Sequence, residues 1–315
     1  MTQHQNRVMN LLPSRQLVWW QKLVFLVLQL VAFVLLALVT GLLLELIGEL
    51  LLPGSWLDNE LPSLIWGWTV VLISVLTAAY VLAYAQSKQG WSTLGFTSTG
   101  FNLGLRTGLS VGGGIILLCF LILFVGGWVK ITNVSFIPIA FAGWCLFFLI
   151  QPLAEEVIMR SFLQNQLHRY FGAWPGVIVS ALVFGLLHVG NNAFTWIAGL
   201  EIVLGGLLMG QLYLYVQNIW APFAMHAIWN FLQSTVLGFA VSGMDTYRVL
   251  ELEIVGPEWL TGGDFGIEGS LLSVFFILAA IIYFWPSVQN EAPWSTLERA
   301  SLNLPEEHIH ESDSV

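Results

Sequence analysis

Charge is what this chain has least of. Asp, Glu, Lys and Arg together make up 9% of its 315 residues, far below the share in soluble domains. With 10 Lys and Arg against 19 Asp and Glu there is no basic surface, which excludes nucleic-acid binding. Cysteine is nearly absent as well. Cys119 and Cys145 both lie inside apolar runs, so neither a disulfide framework nor a thiolate zinc site is available. There is no His-Glu-x-x-His segment, which excludes the standard zincin helix. No internal repeat and no low-complexity tract are found. Gly112-Gly113-Gly114 follows no strand and precedes no Lys, so it is not a phosphate loop; it reads as a place where helices approach closely.

What is present in abundance is apolar. Hydrophobic residues are 57% of the chain and the mean hydropathy is +0.79. Eight runs are apolar enough to cross a bilayer: 18–44, 65–85, 105–129, 136–160, 174–190, 194–216, 219–240 and 266–285. The expected fold is therefore all-α, a polytopic membrane helical bundle of about eight transmembrane helices. Three parts follow: an N-terminal segment 1–17, a transmembrane domain 18–285 and a polar tail 286–315. The first run is much longer than a signal-peptide core and lacks a small-residue cleavage site, so it is expected to stay attached. Glu45 and Glu49 mark its interfacial end.

Lys and Arg set the orientation. With both ends inside, Arg7, Arg15, Lys22, Lys88, Arg106, Arg160, Arg169 and Arg299 fall on the cytoplasmic side, against Lys130 and Arg248 outside. The expected location is the cell (cytoplasmic) membrane, both termini cytoplasmic. Residues 161–171 read as an amphipathic connector with Gln164, Asn165, His168 and Arg169 facing water. Val241–Gly269, with six acids and one Arg, reads as an external, partly disordered loop. His308 and His310 belong to a solvated tail.

Against this apolar background a few polar groups stand out. Glu155 and Glu156 are followed by Arg160 within a run that should carry Leu or Val, and an ionisable cluster at membrane depth marks a functional site by default. Glu156 and Arg160 stand four apart with the acid first, the favourable order for an intrahelical ion pair. Glu155 is then left free to exchange protons. The bland reading is a solvated helix end. His188 closes the fifth run; alone, such a residue is more often a packed histidine than a ligand. His226 and Asn230 are four apart in the seventh run and share one helical face. Glu201, near the outer end of the sixth, reads as wet. Together the first three groups supply a carboxylate to take a proton from water, donors for an oxyanion and a proton route to a leaving amine, the set that amide hydrolysis needs. Glu155, His188 and His226 are equally ordinary zinc ligands. One difficulty is geometric. At 1.5 Å per residue His188 lies about 24 Å along its helix and His226 only about 12 Å, so convergence requires tilted or broken helices.

At these residues the chain resembles the CPBP family of intramembrane proteases, which includes the type II CAAX prenyl endopeptidases and bacteriocin-processing and immunity proteins. The matches are a Glu-Glu-x-x-x-Arg box at Glu155, Glu156 and Arg160, a Phe-x-x-x-His box at Phe184 and His188, and a His-x-x-x-Asn box at His226 and Asn230. They cover about 136–240, in the family's order. The resemblance implies an intramembrane endopeptidase acting on a membrane-associated protein or peptide in a lipid bilayer, with these residues as its site and Phe184 as a wall. It implies either a metal-free mechanism, in which Glu155 activates water, or Zn2+ or another divalent ion on Glu155, His188 and His226. In the metal-free form Glu156 and Arg160 hold Glu155, His188 positions water or carries protons, and His226 with Asn230 stabilises the oxyanion. The expected cavity joins Glu155, His188 and His226 and opens to the cytoplasm. Two rivals are a proton- or ion-coupled transporter, against which the missing repeat counts, and a non-catalytic immunity or scaffold protein of the same fold, which has no need of the full polar set.

Overall fold

The computed structural model describes residues 17–88 and 90–289, with side chains to 285. The N-terminal segment, most of the polar tail, Arg7, Arg15, Arg299, His308 and His310 lie outside the described residues. The chain order is α1 (Trp19–Leu51), α2 (Gly54–Leu57), α3 (Glu60–Ser87), α4 (Phe101–Val125), strand β1 (Val129–Val134), α5 (Pro138–Glu156), a π-helical stretch Val157–Gln164, α6 (Asn165–Phe171), α7 (Ala173–Leu187), α8 (Trp196–Val216), α9 (Trp220–Asn230), a second π-helical stretch Phe231–Val236, strand β2 (Leu250–Ile254), α10 (Glu258–Thr261) and α11 (Leu271–Gln289). The all-α bundle is borne out. Among the described residues five helices are long and apolar enough to cross a membrane: α1, α3, α4, the continuous rod Pro138–Phe171, and α8. The fifth and eighth runs form shorter apolar helices, Ala173–Leu187 and Leu271–Trp285.

The helices differ in what they face. In its most apolar window α1 is 11% buried and presents Leu35, Leu42, Leu43 and Leu50 outward, whereas α8 is 72% buried. α8 is thus the hub and α1 a lipid-facing helix. Glycines let the inner helices close up. Gly104, Gly108 and Gly112 recur every fourth residue on α4, and a Cβ at Gly108 would lie 2.3 Å from the Ala221 carbonyl and one at Gly112 2.6 Å from that of Met225. This stripe seats α9 against α4. On α8, Gly206 and Gly210 receive Ala181 and Val177 of α7 in the same way.

Three expectations are corrected. Residues 161–171 are not a surface connector, because the rod runs unbroken through them and its polar groups bond inside the bundle. Gln164 is 1% exposed and donates to the Gly210 carbonyl (3.1 Å); Ser161 and Asn165 donate to the carbonyls of Leu94 (2.7 Å) and Thr93 (3.1 Å). The loop Val241–Gly269 is folded: β2 pairs antiparallel with β1, Val129 opposite Ile254 and Val134 opposite Leu250. The β-branched residues of Val129-Lys130-Ile131-Thr132-Asn133-Val134 suit that pleat. Arg160 is 0% exposed, so it is an interior group and not one of the cations at the helix ends.

Candidate active site

The site begins at a disturbance in a helix. Pro152 sits inside α5 one turn before the acids and lacks the N–H that would bond the preceding turn. Directly after Glu156 the backbone widens into the first π-helical stretch; directly after Asn230 it does so again. Such widenings are rare and favour functional positions. Here each starts at the residue after a sequence-predicted site residue.

Glu156 and Arg160 form the expected pair, Oε2 to Nε at 3.1 Å, both side chains fully buried. The guanidinium carbon lies 5.5 Å from the Phe184 ring centre, a cation-π contact that helps to hold the charge away from water. His226, from α9, bridges both acids. Its Nδ1 is 3.0 Å from Glu156 Oε1 and its Nε2 is 3.7 Å from Glu155 Oε2. An ionised carboxylate only accepts, so Nδ1 carries the proton in the shorter contact. Glu155 Oε2 is buried and has no hydrogen-bond partner. Its Oε1 accepts from Gln151 Nε2, and Gln151 Oε1 accepts in turn from Asn230 Nδ2 at 3.3 Å.

Phe184 is the expected wall. Its ring lies 4.6 Å from that of His188 and 5.8 Å from that of His226. His188 caps the end of the short α7, and its Nδ1 donates to the Phe184 carbonyl at 2.8 Å, leaving Nε2 unused. The anticipated mismatch in helix depth does not keep the two histidines apart, since both lie beside Phe184 and line one cavity. A small, partly open cavity is lined by Phe184, His188, His226, Asn230, Met209, Met225 and Trp229, and by Glu201, Ser242 and Glu268. Contrary to the expected cavity, Glu155 does not line it. The lining reaches His188, Ser242 and Glu268, at the end of the bundle that carries the β1–β2 hairpin, and not the end that carries Lys22, Lys88 and Arg169.

Several polar neighbours were missed in the sequence. Glu201 is not wet: it is 3% exposed and accepts from Ser273 Oγ at 2.7 Å. Glu268, in the turn before α11, accepts from Trp229 Nε1 (3.1 Å) and from both the N–H and the hydroxyl of Ser242 (2.8 Å each). Ser242 takes a left-handed φ of 49° to present both donors. Burial pushes the Glu268 carboxyl above its ordinary range, against the bonds from Ser242 that favour its ionised form. Nothing in the spacing of Glu201 and Glu268 signals their meeting. Gln151 did leave a signal, a polar residue one turn ahead of Glu155.

Among the described residues no group of three His, Cys, Asp or Glu side chains is gathered closely enough to hold an ion as it stands. The Nδ1 atoms of His226 and His188 are bonded to Glu156 and to the Phe184 carbonyl, which leaves both Nε2 atoms open.

Residues 137–232 match the family model described as type II CAAX prenyl endopeptidase Rce1-like, and all six site residues fall within that segment. The match supports CPBP family membership for this segment. No curated protein and no solved structure matches it. The match and the five membrane-length helices support an integral membrane protein, and the match supports an intramembrane endopeptidase in general terms.

Proposed function

We propose that this protein hydrolyses a peptide bond of a membrane-associated protein or peptide, with Glu155 as general base on water. The observation that carries the reading is the Glu155 Oε2 atom, buried, without a hydrogen-bond partner and 3.7 Å from His226 Nε2. That gap is too long for a direct hydrogen bond, so both atoms are left to contact one water beside them. The formal charges support it further. Two carboxylates and one guanidinium balance when His226 is the imidazolium, whose Nε2–H is then the free donor.

In this mechanism the water oxygen attacks the scissile carbonyl carbon while Glu155 Oε2 takes its proton. The resulting oxyanion is held by His226 Nε2–H and by the second hydrogen of Asn230 Nδ2. The tetrahedral intermediate collapses, the C–N bond breaks and Glu155 returns the proton to the leaving amine. Glu156 and Arg160 fix His226 and neutralise the cluster. His188, with Nε2 unused, carries protons along the cavity wall. The protein resides in the cell membrane with both termini cytoplasmic; among the described cations Lys22, Lys88, Arg106 and Arg169 lie at one end of the bundle and Lys130 and Arg248 at the other.

The test is Glu155→Gln, which keeps the volume and loses the base. Cleavage of a membrane-tethered reporter should be abolished while thermal unfolding in detergent stays near wild type. Retained turnover in a folded variant would sink the assignment.

A further inference from the structure

We propose that Gln151 is a positioning residue of the active site, a role that rests on Glu155 being the base. Gln151 lies on α5 four residues before Glu155, on the same helical face. Its amide nitrogen donates to Glu155 Oε1 and its amide oxygen accepts from Asn230 Nδ2 at 3.3 Å. One side chain thereby ties the acid of α5 to an amide of α9 that lies 79 residues after Gln151 in the chain.

The chemistry of this place is specific. It calls for a donor at one end and an acceptor at the other, at a reach of three side-chain carbons from the backbone. Glu has no donor, Lys no acceptor, and Met or Leu neither. The direction of the amide follows from its partners: nitrogen toward the carboxylate, oxygen toward the Asn230 NH2. Two consequences follow for the reacting atoms. First, Glu155 Oε1 is occupied and the carboxylate plane is fixed, so Oε2 is the oxygen left beside His226 Nε2. Second, one Asn230 N–H is spent on Gln151, which fixes the rotation of that amide and aims its other N–H. Gln151 therefore fixes the plane of the base and the direction of the N–H that meets the oxyanion. Without it, the carboxylate plane can turn away from His226 Nε2, and the Asn230 amide can flip. Groups that orient a reacting side chain are worth about 10- to 100-fold in rate, and a small misplacement suffices for such a loss.

The test uses the full chain in detergent and the membrane-tethered reporter, with kcat, KM and thermal unfolding measured together. Gln151→Met keeps the length and loses both bonds. The expected result is a kcat lower by about 10- to 100-fold, a KM within about twofold of wild type, and a melting temperature close to wild type. Gln151→Leu repeats the test if the Met variant unfolds. Combined with Asn230→Ala, either variant should lose less than the product of the two single losses, because Gln151 acts partly through Asn230. An unchanged kcat, or a loss confined to KM or to stability, overturns the proposal. Glu155→Gln on the same reporter separates the two levels. If it abolishes turnover while Gln151→Met is fully active, Gln151 alone loses its role; if it keeps turnover, the base assignment falls and the positioning role falls with it.

Discussion

Two acid clusters lie near His226, only the second of them lining the cavity with its acids, and they solve the problem of burial in opposite ways. Glu155 and Glu156 sit with Arg160 and His226, so charge is met by charge. Glu201 and Glu268 have no cation bonded to them; they are met by hydroxyls, an indole and one backbone N–H from Ser273, Ser242 and Trp229. A buried ion is costly unless paired, while a carboxyl that can hold its proton needs only hydrogen bonds. The first cluster is therefore an ionic device, able to keep a carboxylate ready at membrane depth. The second is a hydrogen-bonded lock that ties α8, α9, α11 and the loop behind β2 around the cavity.

The sharpest way to break the contrast is Arg160→Ala. It strands Glu156 in the interior, and breaking such a buried pair costs about 3–5 kcal/mol. Thermal unfolding should report that loss, and Arg160→Ala with Glu156→Gln should recover much of it. No coupling between the two positions would mean that the first cluster is not held by charge. In the second cluster Glu268→Gln should cost less, about 1–3 kcal/mol at acid pH, because one amide oxygen cannot serve donors on both sides. Its pH dependence carries the sharper information. The folded carboxyl lies above its ordinary value of 4.5, so its contribution is fully present below that value and fades as pH rises through the raised one. The groups facing it are Glu201, His188 and His226. Wild-type unfolding temperature should fall with rising pH more steeply than that of Glu268→Gln; parallel curves would remove Glu268 as the titrating group. The smallest effect is Ser273→Ala, about 1 kcal/mol, from losing the one hydroxyl that bonds Glu201. A loss as large as that of Arg160→Ala would show that the second cluster is ionic after all.

The sequence by itself determined what depends on local spacing and composition. Long apolar runs with few charges admit only helices in a bilayer, so the all-α bundle was legible before any contact was known. Glu156 with Arg160, and His226 with Asn230, are four apart, and a helix brings such residues together or onto one face whatever surrounds it. Only the tertiary structure decided the rest. Bonds between Gln151 and Asn230, Trp229 and Glu268, and Glu201 and Ser273 join residues 79, 39 and 72 apart, and no period in the chain encodes them. Part of the water-facing stripe expected at 161–171 turned inward for a similar reason: Gln164 and Asn165 found backbone carbonyls on neighbouring elements, whereas Arg169 stays exposed. The hairpin was hidden because its strands, Val129–Val134 and Leu250–Ile254, lie at the edges of what read as helix end and loop, and a strand is defined by its partner as much as by its own residues.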